Sequence, residues 1–157
     1  EVVAIAGGKG GGVQLIDSRT KKEYQGKDIR GIRGGHVPNV TINVSHLNTL
    51  VKVKDKKTGK MKAIAYLDAD IAAKAFAPLD KGVRTLAYCQ TGTRSTLTYL
   101  QLRLLGFKEP ANWDDSWRVW SSNLHADFPV AAPNGVQWYN FAKVNKTLKK
   151  LKKKIEK

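Results

Sequence analysis

Short apolar runs and longer mixed segments alternate along the first hundred residues, as they do in proteins that alternate strands with helices. Three apolar runs, at residues 13–16, 40–44 and 83–88, have the length and the β-branched or aromatic content of strands. The first run ends at Asp17, and the third leads into Cys89. The pattern therefore predicts three strands, two of which are followed by a side chain with acidic or nucleophilic chemistry.

Two longer segments predict helices. Residues 68–77 are rich in alanine, begin at Asp68 as the N-cap and stop before Pro78. In residues 95–105, leucines recur on one helical face, which predicts a buried apolar stripe that ends at Gly106. The leucines of this stripe are Leu97, Leu100 and Leu104.

The shorter patterns complete the fold prediction. Residues 21–25 predict a helical turn, and residues 51–64 predict an exposed turn or hairpin. Strands that alternate with helices predict an α/β fold, with a central, mostly parallel sheet and helices on both faces. Sites in such sheets form beyond the C-terminal ends of the strands, where both Asp17 and Cys89 are predicted to lie.

Cys89 is the only cysteine of the chain and lies at a predicted strand-to-helix turn. Backbone N–H groups converge at such a turn, and the helix start adds partial positive charge, so both stabilise a thiolate. Similar surroundings lower a thiol pKa from about 8.5 to roughly 3.5–7.5. A lone cysteine is also commonly a small buried hydrophobe. We favour the nucleophile, because the Gln-Thr-Gly-Thr-Arg-Ser segment that follows is a poor core segment.

The spacing between Cys89 and Arg94 separates two chemistries. Cysteine phosphatases use a loop that is one residue longer, which is wide enough to wrap a phosphate. The four intervening residues, 90–93, give a tighter cradle that suits a cysteine persulfide better. A phosphatase or an arsenate reductase is therefore disfavoured.

The loop Cys-Gln-Thr-Gly-Thr-Arg-Ser resembles the active-site loop of the rhodanese-type sulfurtransferases. Other motifs of that family occur in the same order, over roughly residues 13–130. Asn39-Val40 and Asp115 depart from the family pattern in loops and leave the nucleophile intact. The matching segments are residues 15–20 with Glu23-Tyr24, residues 34–38, residues 104–107, and residues 113–117 with Trp120.

The spacing from Tyr24 to His36, with the segment 51–64, resembles the catalytic, C-terminal domain of two-domain thiosulfate/mercaptopyruvate sulfurtransferases. The chain is then one half of a tandem protein or a stand-alone copy of that half. The short apolar start before the glycines also reads as the tail of an element that began earlier. Its 157 residues suit one domain. We expect an N-terminal segment and Gly-rich linker at 1–12, a rhodanese domain at 13–130, and a linker with a basic helix at 131–157.

The resemblance implies roles for the loop residues. Cys89 takes sulfur from the donor as a persulfide, and the loop N–H groups cradle that sulfur. Arg94 either faces the anionic donor or pairs with a structural carboxylate. For Ser95 we favour the helix N-cap over a hydroxyl that faces the loop. The expected donor- and persulfide-binding residues are Gln90, Thr91, Gly92, Thr93, Arg94 and Ser95, with Arg33 as a looser match.

Three further residues are expected to support the site without reacting. Asp17 would accept hydrogen bonds from neighbouring loops, and Arg19 would pair with Glu23 four residues later. His36 belongs to a structural motif of the family, and we expect a hydrogen-bonded structural histidine.

The basic C-terminal segment poses a separate question. The net charge is +15, and residues 141–157 hold eight lysines and one glutamate. Their apolar residues recur at spacings of three and four, which predicts an amphipathic helix with a narrow apolar stripe. We favour packing of this helix on its own domain or on a symmetry mate. An anionic surface, either lipid or nucleic acid, and an acidic protein partner that receives sulfur stay open. The stripe consists of Phe141, Val144, Leu148, Leu151 and Ile155.

The predicted function is a sulfurtransferase that moves a sulfane sulfur from thiosulfate, or a similar small anionic donor, through Cys89 to a thiol or cyanide. The alternative is a non-catalytic rhodanese-like module that docks a partner or an anionic surface through its basic helix. One cysteine leaves no resolving thiol among the 157 residues, so the acceptor is another molecule. No cofactor is expected, because the histidines lack metal-ligand spacing and the glycines at 7–12 lack the flanking strand and helix of a nucleotide loop.

Overall fold

A computed structural model describes residues 1–133, 135 and 139–155 of the chain. Its helices are α1 Val2–Ala6, α2 Lys21–Tyr24, α3 Ala69–Ala75, α4 Thr93–Leu104, α5 Ser116–Ser122 and α6 Phe141–Ile155. Its strands are β1 Gln14–Asp17, β2 Ile42–Asn43, β3 Leu50–Lys54, β4 Met61–Tyr66, β5 Thr85–Tyr88 and β6 Pro110–Asn112. A 3₁₀ turn spans His46–Thr49.

Four strands form a parallel sheet in the order β2-β1-β5-β6, which confirms the predicted α/β class. The middle strands, β1 and β5, are buried along their whole length. The strand predicted at 40–44 pairs only over Ile42–Asn43. Strand β6 was not predicted, because three residues that begin with Pro110 carry no strand pattern.

Two apolar clusters lie on opposite faces of this sheet, because successive side chains of a strand point to opposite sides. On one face, Leu15 of β1 packs with residues of α1 and α5. On the other face, Ile16 packs with residues of α3 and α4. Helices thus cover both faces, as predicted. The segment expected ahead of the domain contributes α1 to the first cluster, so the packed unit includes residues before 13.

Helix α4 presents polar side chains to the sheet, and the predicted leucine stripe is wrong. Leu100 is 41% and Leu104 is 69% exposed. The buried face of α4 begins over the polar ends of the strands. Hydroxyl side chains can form hydrogen bonds there, and leucine side chains cannot. The Thr98 and Ser18 hydroxyl oxygens, for example, lie 2.8 Å apart. The buried residues of this face are Ser95, Thr98, Gln101 and Leu102.

Other predicted element ends are confirmed. Helix α3 follows Asp68 and stops ahead of Pro78. At the end of α4, Gly106 has φ +81°. The Phe107 N–H donates to the Leu102 carbonyl, which closes the helix as a Schellman motif. Strands β3 and β4 form the hairpin predicted at 51–64.

Helix α6 forms as predicted, but its apolar stripe does not pack on the domain. Phe141 is 70% and Ile155 is 83% exposed, and Leu148 and Leu151 are about half exposed. Packing on its own domain, one half of the favoured interpretation, is therefore wrong for these four residues, and packing on a symmetry mate stays a prediction. Within the described ranges, no helix combines the length and the apolar content that crossing a bilayer requires.

Candidate active site

Cys89 lies directly after β5, and its loop leads within a few residues into α4. Gly92 is the N-cap of α4 and has φ +82°, a conformation that favours glycine. A Cβ atom at this position would lie 2.3 Å from the Asp114 Oδ1 atom. Glycine is thus required here both by the backbone turn and by the close approach of the residue 114 loop.

The Cys89 thiol is fully buried, and backbone donors surround its sulfur. Burial alone would raise its pKa. The hydrogen bonds from the N–H of Thr91, from the Ser95 hydroxyl and from the N–H groups of Ser95 and Arg94 outweigh burial, so the pKa of Cys89 is lowered. Two of these N–H groups belong to the first turn of α4, whose partial positive charge favours an anion.

Ser95 lies inside α4, so the favoured interpretation of this residue as the N-cap is wrong. Gly92 takes the cap position instead. The Ser95 Oγ atom lies 2.8 Å from the Gly92 carbonyl oxygen and also reaches the Cys89 sulfur. Its single proton serves one acceptor at a time. The hydroxyl therefore stabilises the thiolate when it turns toward the sulfur.

Helix α5 anchors the backbone of the loop, a role that sequence reasoning did not assign. The Cys89 N–H donates to Ser116 Oγ at 3.1 Å. The Trp117 N–H donates to the Cys89 carbonyl at 3.0 Å, and the Arg118 N–H donates to the Gln90 carbonyl at 2.9 Å. The Ser-Trp motif thus positions the backbone of the loop that carries the Cys89 thiol.

Arg94 pairs with a structural carboxylate, which was one of the two roles left open for it, and its role toward a donor stays a prediction. Its Nη1 and Nη2 atoms donate to the two Glu23 carboxylate oxygens at 2.8 and 2.7 Å. The same guanidinium also contacts the Cys89 sulfur, and the Glu23 partner raises the pKa of Arg94. Burial alone would raise the pKa of Glu23, but bonds from Arg94 and Thr20 lower it to about 2. A permanent cation is therefore held against the thiol.

Arg19 pairs with Asp17, so the predicted Arg19–Glu23 pair is wrong. The Arg19 Nη2 and Asp17 Oδ2 atoms are 2.6 Å apart, and both side chains are buried. The Tyr88 hydroxyl donates to the same Asp17 oxygen at 2.7 Å. Arg19 also donates to the Gly35 carbonyl at 2.7 Å. This cluster links the ends of β1 and β5 below the loop, which fits the supporting role expected of both residues.

Arg33 does not face the loop in this structure. Its Nε and Nη2 atoms donate to the carbonyl oxygens of Ser121, Trp120 and Asn123 at 3.1, 2.7 and 2.5 Å. A cation at the C-terminal end of α5 satisfies carbonyls that have no partner within the helix. The structure therefore places Arg33 as a helix cap and gives no support to the predicted role in donor binding.

His36 is held as a structural histidine would be. Its ring stacks on Tyr24 with centroids 3.7 Å apart, and its Nδ1 atom lies 2.9 Å from the Tyr24 carbonyl oxygen. Burial lowers the pKa of His36 and favours the neutral ring. Of the remaining loop residues, Thr91 and Thr93 are exposed at the rim, whereas Gln90 is buried.

His46 joins the site without having been predicted. It is half-buried, and its Nδ1 atom lies 3.2 Å from the Ser18 carbonyl oxygen. Burial lowers its pKa, and the charges of Arg94 and Glu23 also act on it. A signal did exist, because His46 follows β2 at the same C-terminal edge of the sheet that drew attention to Asp17 and Cys89.

This chain matches only part of the length of each named relative. The thiosulfate sulfurtransferase of Corynebacterium glutamicum is 34% identical over 121 residues, which cover 71% of this chain and 36% of the relative. The thiosulfate sulfurtransferase of Azotobacter vinelandii is 27% identical over 121 residues, which cover 74% of this chain and 39% of the relative. The chain thus spans well under half the length of these two relatives.

Solved structures share the fold at low identity. The Tum1 protein from Saccharomyces cerevisiae superimposes with a TM-score of 0.60 at 20% identity, over 82% of this chain and 41% of that chain. YnjE superimposes with a TM-score of 0.53 at 19% identity, over 77% of this chain and 29% of that chain. The rhodanese-like domain family model matches residues 4–123, and with this match and the relative at 34% identity, the chain belongs to the rhodanese-like domain family.

Proposed function

We propose that the domain is a rhodanese-type sulfurtransferase that moves a sulfane sulfur from thiosulfate through Cys89 to a thiol or cyanide. One observation carries the proposal. The thiol that lies at the start of α4 has a lowered pKa, a cradle of N–H donors and a guanidinium in contact with its sulfur. Such a site stabilises a thiolate and any anionic sulfur bonded to it. The named thiosulfate sulfurtransferases among the relatives support the same reaction class.

In the first half-reaction, the Cys89 thiolate attacks the outer sulfur of thiosulfate. A sulfur–sulfur bond forms to Cys89 while the sulfur–sulfur bond of thiosulfate breaks, and sulfite leaves with the electron pair. The thiolate and thiosulfate together carry three negative charges. After the step, the enzyme persulfide carries one of them and sulfite carries two. The N–H groups of Thr91, Arg94 and Ser95 would then bond to the persulfide.

In the second half-reaction, an acceptor thiolate or cyanide attacks the outer sulfur of the persulfide. The bond between this sulfur and Cys89 breaks, and Cys89 leaves as a thiolate. A low pKa makes Cys89 a good leaving group as well as an available nucleophile. The scheme is covalent catalysis in two strokes and predicts ping-pong kinetics.

Access to the sulfur requires a local movement, because the Cys89 side chain is fully buried. Arg94 is the best candidate for this movement, since it contacts the sulfur and its side chain is 20% exposed. An entering thiosulfate dianion supplies a partner for the guanidinium as it moves. The Glu23 carboxylate keeps Arg94 tethered nearby.

The test is mass spectrometry of the intact protein after incubation with thiosulfate and without reducing agents. Covalent sulfur transfer predicts a gain of about 32 Da that peptide mapping places on Cys89. The Cys89→Ser variant is the control and gains no mass. A protein with an intact, alkylatable Cys89 that gains no sulfur would contradict the proposal.

A non-catalytic binding module is the second candidate. The exposed lysines of α6 favour it, because they offer a surface for an acidic partner or an anionic surface. The donor cradle around Cys89 disfavours it, since a binding module has no need of a thiol with a lowered pKa. The absence of sulfur loading in the experiment above would favour the binding module.

A further inference from the structure

A cleft of about 330 Å³ lies beside the Cys89 loop, between α6, α5 and the segment that follows α2. Asn140, the residue before α6, bonds to that segment through its backbone and its side chain. The Asn140 N–H donates to the Ile32 carbonyl at 2.8 Å, and the Asn140 side chain donates to the Ile29 carbonyl at 3.2 Å. The residues that line the cleft are Arg30, Gly31, Ile32, Gln90, Arg118, Ser122, Lys143, Lys146 and Lys150.

The charge of this cleft has one sign. Five of the lining side chains are basic, and no carboxylate is among the lining residues that the structure describes. Lys143, Lys146 and Lys150 are spaced by three and four residues, so they share one face of α6. That face is turned toward Arg30 and Arg118, while the apolar stripe of α6 is exposed. Like charges that share a cleft repel one another, so a bound anion stabilises this arrangement.

Two links join the cleft to the nucleophile. Gln90 follows Cys89 in the loop and lines the cleft. On the other side, Arg30 reaches Glu23 at 3.4 Å, and Glu23 holds Arg94 against the sulfur. The cleft therefore adjoins both the loop that carries Cys89 and the carboxylate that holds Arg94.

The number of basic side chains indicates what kind of anion fits. Five of them line the cleft, so an anion with more than one charged group is stabilised more than a singly charged one. A thiol that carries carboxylates offers anionic oxygens to these basic residues.

We propose that this cationic cleft binds the sulfur acceptor and selects small thiols that carry two or more carboxylates. The inference rests on the function proposed above. The volume of the cleft lies at the lower end of the range for small-molecule sites, about 300–1,000 Å³. The chemistry is that of the second half-reaction: the acceptor thiolate takes the outer sulfur, Cys89 leaves as a thiolate, and the acceptor departs as a persulfide.

The experiment separates loading from transfer. Protein is first loaded with thiosulfate and freed of excess donor, and the added sulfur on Cys89 is measured. It is then mixed with 2-mercaptoethanol, thioglycolate or mercaptosuccinate at equal thiolate concentrations, which gives zero, one or two carboxylates. The rate constant for loss of the added sulfur is recorded at low ionic strength.

We expect the rate constant to rise by roughly tenfold or more from mercaptoethanol to mercaptosuccinate, because a cleft lined by one sign of charge concentrates anions. The double variant Lys146→Gln with Lys150→Gln loses most of this preference and keeps its rate with mercaptoethanol. Lys149→Gln with Lys152→Gln removes the same charge from the same helix outside the cleft and keeps the preference. Arg118→Gln offers a second test that leaves α6 intact.

Equal rate constants for the three thiols would overturn the inference. An equal loss of preference in the two lysine double variants would overturn it as well, since net charge and not the cleft would then be responsible. Failure to load sulfur in the first step would contradict the proposed function instead. The rate with mercaptoethanol and the thermal unfolding of each variant show that the protein is still folded and active.

Discussion

Two groups of basic side chains meet at Glu23 and differ in how their charge is balanced. On the side of the nucleophile, Arg94 binds both carboxylate oxygens of Glu23 and is held against the Cys89 sulfur. On the other side, the cationic cleft gathers five basic residues, and only Arg30 reaches the same carboxylate, at 3.4 Å. Arg94 is paired with a carboxylate inside the fold, whereas Arg118, Lys146 and Lys150 of the cleft are exposed to solvent.

The surroundings of each group of basic side chains suit it to a different task. A partly buried, paired charge stays close to its partner and is screened less by salt, which suits a group that contacts a reacting sulfur. Exposed charges of one sign act over longer distances and weaken in salt, which suits the capture of an anion. Three predictions test the side of Cys89 and Arg94, and a fourth tests Arg33, which lies outside it; they run from the largest expected effect to the smallest.

The first prediction concerns the backbone that shapes the sulfur cradle. Gly92→Ala places a Cβ 2.3 Å from Asp114 Oδ1 and 2.7 Å from the Asp114 carbonyl oxygen. The loop must shift, so we expect sulfur loading to slow by more than about a hundredfold, as misplaced reacting groups do. The measurement is the rate of mass gain on Cys89.

The matched control is Gly106→Ala at the other end of α4. Gly106 has a nearly identical φ of +81°, but a Cβ there meets no atom within 4 Å. We expect this variant to lose about 1–2 kcal/mol of stability from the left-handed backbone and to load sulfur normally. Equal loading rates in the two variants would show that the contact with Asp114 is unimportant.

The second prediction concerns a variant without the Arg94–Glu23 ion pair. Glu23→Gln leaves Arg94 without its carboxylate, and we expect loading to slow by about tenfold and the free energy of unfolding to fall by about 1.5–3 kcal/mol. Glu109→Gln, an exposed carboxylate elsewhere, is the control and changes neither quantity.

The pH dependence of this variant has a definite sign. The pKa of Glu23 is about 2 in the folded protein, below the unfolded value of about 4.3. Its contribution is therefore complete above about pH 4.3 and disappears as the pH falls through about 2. Unfolding by urea at several pH values should show the two proteins converging in acid. A constant difference in stability down to pH 2 would contradict the ion pair.

The third prediction concerns the thiolate. Ser95→Ala removes one donor from the Cys89 sulfur, so we expect the pKa of Cys89 to rise by up to about one unit. Alkylation by iodoacetamide, followed against pH, measures this midpoint, which the backbone and hydroxyl donors lower in the unaltered protein. Thr96→Ala removes an exposed hydroxyl from the same helix and is the control. An unchanged midpoint in Ser95→Ala would exclude the hydroxyl as a donor to sulfur.

The fourth and smallest effect on chemistry is expected at Arg33. Arg33→Gln removes bonds to the carbonyl oxygens at the end of α5, so stability should fall by about 1–3 kcal/mol. Loading by thiosulfate should stay within about twofold, because this guanidinium caps a helix. A tenfold slower loading in a fully folded variant would restore the donor-binding role first predicted for Arg33.

Local patterns predicted much of this molecule. The strand before Cys89, the helix after it, the hairpin and the end of α4 at Gly106 follow from apolar runs and turn residues in their immediate neighbourhood. The position of Cys89 at a strand end followed in the same way. The error at Arg33 concerns a partner far away in the chain, because Arg33 finds α5 across almost 90 residues. The carboxylate that holds Arg94 is also distant, since Glu23 lies 71 residues away. The errors at Arg19 and Ser95 are local and concern which of several nearby groups each side chain contacts.

The leucines of α4 show the physical reason. Their spacing predicted a buried face, but the end of a parallel sheet presents carbonyl and hydroxyl groups, so the face that carries Thr98 is the one that packs. The alternation of strands and helices, the position of Cys89 at a strand end and the length of its loop follow from the sequence alone, because these depend on neighbouring residues. The buried face of α4, the carboxylate that holds Arg94 and the direction of the basic residues of α6 required the folded structure. Those outcomes depend on the packing of segments that are remote in the chain.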